Sequence, residues 1–432
     1  MPLMPQSGDT VKIIIKKEAI TGVLIPSPKK EVVLLKLDNG YNVGFPAKEV
    51  KKIVIVDKGK ALPLVAQKLS KRKDLPTIAI LHTGGTIASK VDYRTGSVTS
   101  KFSPEDLVNM FPELKDIANI ESELISQMWS DDLRFKHFSL IAKKIEEYVK
   151  KGVAGIIMGI GTDNLAVASA ALAFIVEQSP IPIILVGAQR SSDRGSSDAG
   201  MNLLCAATFI AKTDFRGVAI CMHQGSSDTS CAILTATKTY KLHSSRRDAF
   251  KPINDEIIAT IDSVTRKITY VKKEYPKSAK PLLLKPKMEE KVGLLKIHIN
   301  MFPKQFEFFK GYKGLILEGT GLGHTPGQAP NAEAAIHKKI YPAMKKIMAS
   351  GCVVVMTTQC LFGSVNMNVY DKGRDLLDLG VIPGKDMLAN TAFVKLSWLL
   401  ANYPKKEVEK MMQDNLRGEI NEKIAYAEDF LK

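Results

Sequence analysis

The chain has 432 residues, 61 Lys+Arg against 45 Asp+Glu (net charge +16), with 45% apolar and 25% charged residues. These proportions are those of an ordinary globular protein, and at about 150 residues per domain the length calls for about three domains. A membrane-embedded chain is excluded, because the longest uncharged apolar stretch, Leu165–Val176, is far too short for a bilayer span.

The basic excess has two readings, a lysine-rich surface that keeps the protein soluble or a polyanionic partner such as RNA. Cys205, Cys221, Cys231, Cys352 and Cys360 lie in apolar or small-residue runs with no Cys-x-x-Cys pair. They are expected as reduced core thiols rather than disulfides or zinc ligands. The N-terminus has no basic region followed by an apolar one, so a soluble, cytoplasmic protein is expected.

Residues 1–57 differ from all that follow. The β-rich runs Val11–Ile15, Glu31–Leu37 and Lys52–Val56 are set off by Ser7-Gly8-Asp9, Pro26-Ser27-Pro28 and the hairpin signal Asp38-Asn39-Gly40. Short strands at this spacing, without helices, predict a small SH3-like β-barrel, a module that binds a partner rather than one that catalyses. Residues 58–74, with Lys58, Lys60, Lys68, Lys71 and Arg72, read as a linker.

Residues 75–273 alternate strand and helix. Strands are expected at Ile78–His82, Ala154–Met158, Ile181–Val186 and Val218–Met222, and helices at Pro104–Phe111, Phe135–Lys150, Leu165–Glu177 and Ser197–Ala211. That alternation predicts a mainly parallel sheet covered on both faces. Residues 274–291, rich in Pro and Lys, read as an interdomain connection. The alternation resumes over 292–432, with strands at Val292–His298, Gly314–Glu318 and Cys352–Thr357. Helices follow at Ala332–Ala349, near Asp386–Ala401 and at Lys405–Asn415. The fold class is α/β, in two mainly parallel domains behind a small barrel.

Four stretches carry candidate chemistry. Thr83-Gly84-Gly85-Thr86 closes a buried strand with two permissive glycines between hydroxyls. It lacks the G-x-G-x-x-G and G-x-x-x-x-G-K-[ST] spacings, which disfavours nucleotide binding. Its plainer reading is a turn that starts a helix. Gly159-Ile160-Gly161-Thr162-Asp163 opens a long helix, where Thr-Asp is either a cap or part of a site for a carboxylate. Gly187–Arg194 is a polar surface loop or a positioner of the site's polar groups. Lys238–Phe250 is a basic loop that matters only if one lysine reaches Thr162 and Asp163. A threonine hydroxyl is a poor nucleophile until a base takes its proton. A buried lysine oriented by an aspartate can serve as that base, so Thr, Asp and Lys form a coherent hydrolytic set.

Thr83-Gly84-Gly85-Thr86-Ile87-Ala88, Gly161-Thr162-Asp163 and Val186-Gly187-Ala188-Gln189-Arg190 resemble the signatures of the bacterial-type L-asparaginases, in the same order. The barrel end Leu37–Gly44, the Ser191–Asp198 run, Ser245–Phe250 and Thr357–Cys360 are similar to one branch of that family, the D-type (GatD) subunits of archaeal glutamyl-tRNA(Gln) amidotransferases. The resemblance covers nearly the whole chain. It implies Thr86 as nucleophile, with Thr162, Asp163 and Lys241 as a proton relay. Lys241 is preferred to Lys238 for its spacing to Asp248-Ala249-Phe250. Ser130 and Asp131 would hold the substrate's α-carboxylate and α-ammonium, Gly85 and Gly161 would contribute to substrate binding through their turns, and Tyr93 would sit on a loop that closes after Thr86.

The resemblance further implies a glutaminase half-enzyme acting on L-glutamine. Its ammonia would go to an E-type partner of the same amidotransferase, which amidates Glu-tRNA(Gln) with ATP and Mg²⁺; no cofactor or metal is expected in this chain. A homodimer within a heterotetramer, with no membrane association, completes the expectation. The chain also departs from the family pattern: Ile160 and Asn164 occupy positions where the family usually carries His and Thr, and Gly195 replaces a proline. A free-standing L-asparaginase and a non-catalytic scaffold remain alternative readings.

Overall fold

A computed structural model describes residues 5–6, 9–15, 18–25, 27, 31–37, 42–58, 71–84, 90–92, 97–99, 111–190 and 197–424. The two-residue rhythm of Thr10–Ile15 buries Val11 and Ile13 while Lys12 faces solvent. This strand lies between Glu18–Ile25 and Val50–Asp57 in a five-stranded antiparallel sheet, completed by Val32–Lys36 and Asn42–Pro46. Asn42–Pro46 and Val50–Asp57 are its edges, and closure into the expected barrel is not among the described pairings. The Asp38-Asn39-Gly40 turn lies outside the described residues.

The next sheet has eight strands, in the order Ile268–Tyr270, Ala259–Asp262, Ser230–Thr235, Gly217–His223, Pro182–Val186, Gly155–Gly159, Thr77–His82 and Asn119–Leu124. The last five are parallel and the first three antiparallel. Thr77–His82 and Gly155–Gly159 are apolar on both faces, as central parallel strands must be. Asn119–Leu124 adds to one side of Thr77–His82 and Gly155–Gly159 to the other, so the strand order reverses between them. The crevice beyond the carboxyl ends at such a switch point is where open α/β sheets bind ligands.

Helix Phe135–Lys150 buries Phe138, Ile141, Ala142, Ile145 and Tyr148, one helical stripe. Helix Leu165–Ile175 differs, with nine of its eleven residues buried. Its second partner is helix Ala389–Asn402 of the other α/β domain, where Phe174 and Trp398 lie 5.7 Å apart. The two domains therefore share one core. The second domain's sheet is wholly parallel, Val292–Lys296, Gly314–Gly319, Val353–Thr358 and Ile382–Pro383.

Several boundaries differ from expectation. Helix Leu165–Ile175 stops early because Val176–Gln178 becomes a strand, pairing with Leu283–Leu284 of the 274–291 connection. The helix expected at Ala332–Ala349 starts at Ile340, behind a 3-10 turn over Ala335–Lys339. Pro342 lacks an N–H and is tolerated only in a first helical turn, which fixes that start. Of the cysteines, Cys205, Cys221, Cys231 and Cys352 are buried, but Cys360 is exposed on the loop after Val353–Thr358, so it is no core thiol. Residues 104–110 of the expected Pro104–Phe111 helix lie outside the described residues. Among the described residues no helix is long and apolar enough to cross a membrane.

Candidate active site

Loops from several strands meet at the switch point, and close packing dictates their residues. The Thr83 N–H donates to the Gly159 carbonyl at 3.1 Å, and its own carbonyl accepts from Met128 N at 3.0 Å. Gly84 then turns with φ +93°, where a Cβ would lie 2.9 Å from the Met128 carbonyl oxygen, so glycine alone fits. At the neighbouring loop a Cβ on Gly161 would come within 3.0 Å of Ser130 Cβ and Oγ. Its absence lets the one-turn Ser130–Asp132 segment pack against residues 160–164.

Asn164 ties these two segments together. Its backbone N–H donates to Ser130 Oγ at 3.3 Å, and its Nδ2 donates to the Ser130 carbonyl at 3.0 Å and to Asp131 Oδ1 at 3.1 Å. Asn164 is also the N-cap of helix Leu165–Ile175, with no side-chain cap bond. The side chains of this turn reach across the crevice instead of capping the helix.

Lys241 arrives on the short hairpin Thr239–Lys241 with Phe250–Pro252, where it pairs with buried Phe250. Leu242 N donates to the Ala249 carbonyl at 2.7 Å and closes the hairpin around the basic loop. Lys241 Nζ donates to Thr162 Oγ1 at 2.9 Å and to Asp163 Oδ1 at 2.7 Å. The lysine side chain is 13% exposed and the aspartate 66% exposed. The ammonium thus sits at the crevice wall and is not sealed beneath it. Lys238, the other lysine weighed, pairs with Asp386 of the second domain, both side chains 1% exposed.

Gln189 supplies a contact that sequence reasoning left unassigned. Thr162 Oγ1 donates to Gln189 Oε1 at 3.3 Å. The loop is held by Asp198, a fully buried carboxylate that accepts from Gln189 N at 3.0 Å and Arg190 N at 3.1 Å. Asp198 thus fixes the backbone at Gln189 and Arg190, though no local pattern singles it out as the clamp. His82, at the end of the central strand, is buried, and among the described residues neither ring nitrogen has a hydrogen-bond partner. Burial pushes its pKa down to about 4, so the ring is neutral at pH 7.

Of the residues singled out from sequence, Thr162, Asp163, Lys241, Ser130, Asp131 and Gly161 converge on this crevice. Gly85, Thr86 and Tyr93 lie outside the described residues, as do residues 191–196 of the polar loop. A cavity of about 790 Å³ lies at the other end of the strands, by the start of Gly217–His223, lined by Glu177, Arg216, Tyr275 and Arg417 among others. It shares no residue with the Thr–Asp–Lys cluster, and the site is located by its convergent polar groups. A hydroxyl, an ammonium and a carboxylate in line can relay a proton to or from a nucleophile or water placed beside Thr162.

Known proteins match along nearly the whole chain. Residues 77–274 match the family "Asparaginase, N-terminal", 291–412 match "Glutaminase/Asparaginase C-terminal domain", and 6–56 match "GatD N-terminal domain". The D-type glutamyl-tRNA(Gln) amidotransferase subunit of Pyrococcus furiosus is 43% identical, over 96% of this chain and 94% of its own length. The protein of the same name from Methanococcus maripaludis is 42% identical, over 96% and 98%. Among solved structures, the thermostable L-asparaginase from Thermococcus kodakarensis superposes with a TM-score of 0.71 at 29% identity, covering 80% of this chain and 100% of that one.

Proposed function

The chain belongs to the family of D-type (GatD) subunits of glutamyl-tRNA(Gln) amidotransferase, and from that premise we propose that it is the glutaminase half of a tRNA-dependent amidotransferase, with Thr86 as nucleophile. Thr86 Oγ attacks the side-chain carboxamide carbon of L-glutamine. Backbone N–H groups of the glycine turns at Gly85 and Gly161 stabilise the oxyanion. Collapse of the tetrahedral intermediate expels ammonia, which takes the proton surrendered by Thr86, and leaves a glutamyl ester. Water activated through Thr162, Lys241 and Asp163 then cleaves the ester to glutamate. Ser130 and Asp131 hold the α-carboxylate and α-ammonium. The observation that carries this reading is Lys241 Nζ bridging Thr162 Oγ1 and Asp163 Oδ1 at the sheet's switch point.

A D-type member of such an enzyme works with partner subunits. We assign the released ammonia to the E-type partner, which forms Gln-tRNA(Gln) from Glu-tRNA(Gln) with ATP and Mg²⁺, so this chain itself uses no cofactor. A cytoplasmic homodimer within a heterotetramer is the assembly we favour. Exposed Ile299, Phe302, Val369 and Tyr370, on loops of the second domain, support an interface there. The division into 1–57, 75–273 and 292–432 with connections at 58–74 and 274–291 belongs to the same proposal, the first unit docking partner or tRNA.

Ammonia release from glutamine and asparagine, measured alone and with the E-type partner plus Glu-tRNA(Gln), tests the reading. Glutamine hydrolysis that rises with partner and tRNA, and is abolished in Thr86→Ala, is expected. Strong asparagine hydrolysis by the isolated chain, indifferent to tRNA, would instead identify an asparaginase.

A further inference from the structure

Thr162 Oγ1 stands between two groups, accepting from Lys241 Nζ at 2.9 Å and donating to Gln189 Oε1 at 3.3 Å. A hydroxyl has one hydrogen and two lone pairs. With the ammonium donating to the oxygen, that hydrogen needs an acceptor, and the Gln189 carboxamide oxygen is the acceptor present. Turning the amide over would leave Thr162 with two donors and its own hydrogen unbound. As it stands, the cost falls on the other end of the amide, because Gln189 Nε2 is buried with no hydrogen-bond partner among the described residues. A buried donor left unmade is destabilising, so Gln189 is not kept here for stability. Its backbone is clamped by Asp198, which itself is held by Asn202 Nδ2 at 3.3 Å, while the same Nδ2 also donates to the Gly187 carbonyl at 3.1 Å. The support is rigid.

We propose that Gln189 is a positioning residue for the relay: its carboxamide oxygen holds the Thr162 hydrogen and turns the Thr162 lone pairs toward Lys241. Gln189 reaches the chemistry through Thr162, and the inference therefore rests on the relay assigned under the proposed function. With its hydrogen held by Gln189, Thr162 presents a fixed lone pair to the Lys241 ammonium and so fixes where Lys241 stands in the relay, and the gain falls on kcat.

The test is steady-state glutaminase kinetics and thermal unfolding of the complex with the E-type partner and Glu-tRNA(Gln), for Gln189→Met, Gln189→Glu and Thr162→Ala. Met matches the shape but offers neither acceptor nor orphaned donor. The expected result is a kcat about tenfold lower with KM little changed and an unfolding midpoint equal to or above that of the unsubstituted protein. Gln189→Glu restores the acceptor oxygen and most of kcat. Full kcat in Gln189→Met beside an inactive Thr162→Ala overturns this inference and leaves the relay standing. A joint fall of kcat and midpoint in Gln189→Met, with no recovery in Gln189→Glu, reduces Gln189 to a packing residue and overturns it too. An active Thr162→Ala overturns the relay, and this inference with it.

Discussion

Two lysines three positions apart on one hairpin meet aspartates in opposite ways. Lys238 and Asp386 are both 1% exposed, and Asp386 also accepts from the backbone of Asn421 at 3.0 Å. Beside them Thr391 Oγ1 donates to the Thr237 carbonyl at 2.8 Å. This pair is a seam between the two α/β domains. Lys241 pairs with an aspartate that is 66% exposed and spends a second hydrogen on a hydroxyl. A charge pair sealed on every side can only hold elements together, whereas one open to a crevice and linked to a hydroxyl can pass a proton. The seam still serves the site, because it fixes the base of the hairpin that carries Lys241.

The largest effect that separates the two pairs is on turnover. Lys241→Met should lower kcat for glutamine by about 10⁴-fold, about 5 kcal/mol of transition-state stabilisation, as loss of one member of a catalytic set does. Its unfolding midpoint should stay near that of the parent, since the aspartate left behind is mostly in water. Lys238→Met should do the reverse. It strands a buried carboxylate, at a cost of about 3–5 kcal/mol, while kcat per folded molecule holds. Urea unfolding alongside active-site-normalised kinetics reads both. Equal stability losses in the two variants would erase the distinction.

His82 takes burial to its limit, a titratable ring with no hydrogen-bond partner among the described residues. Its pKa is lowered by burial from 6.5 to about 4, so above pH 6.5 the ring is neutral folded or unfolded and costs nothing. As pH falls from 6.5 toward 4, the unfolded chain binds a proton that the folded ring refuses, and stability is lost. The full window is worth about 3 kcal/mol. His82→Leu should show a shallower loss of unfolding free energy between pH 7 and 5 than the parent, by about 2 kcal/mol. Parallel pH slopes would mean the ring is hydrated after all.

The same contrast explains what could be read in advance. Apolar, β-branched runs bounded by glycine located the central strands to within a residue or two, because strands buried on both faces carry no competing pattern. The antiparallel strands Ser230–Thr235, Ala259–Asp262 and Ile268–Tyr270 went unread; the last two span only four and three residues, too short for a two-residue rhythm to show. For the site, Thr162 and Asp163 were legible from a motif at a strand end, whereas Ser130 and Asp131 came only with the family resemblance. Choosing Lys241 over Lys238 needed the family's spacing, as both lie in one basic stretch and only the fold buries one of them. Asp386, Asp198 and Gln189 Oε1 act through contacts spanning 148, 9 and 27 positions, which no local pattern encodes.

Asn164 gives the smallest effect and the finest division. Where the resemblance implies a threonine, its amide makes two hydrogen bonds that a threonine's single hydroxyl hydrogen cannot, to the Ser130 carbonyl and Asp131 Oδ1. On the proposed reading Asp131 faces the substrate's ammonium, so Asn164 steadies ground-state binding, while Lys241 acts on the reacting bonds. Asn164→Ala should raise KM for glutamine about tenfold, about 1.4 kcal/mol, and leave kcat nearly unchanged. That pattern is the signature of binding shared equally by ground and transition states. A fall in kcat at constant KM would instead move Asn164 into the group of Lys241, because the turn it braces also carries Thr162 and Asp163.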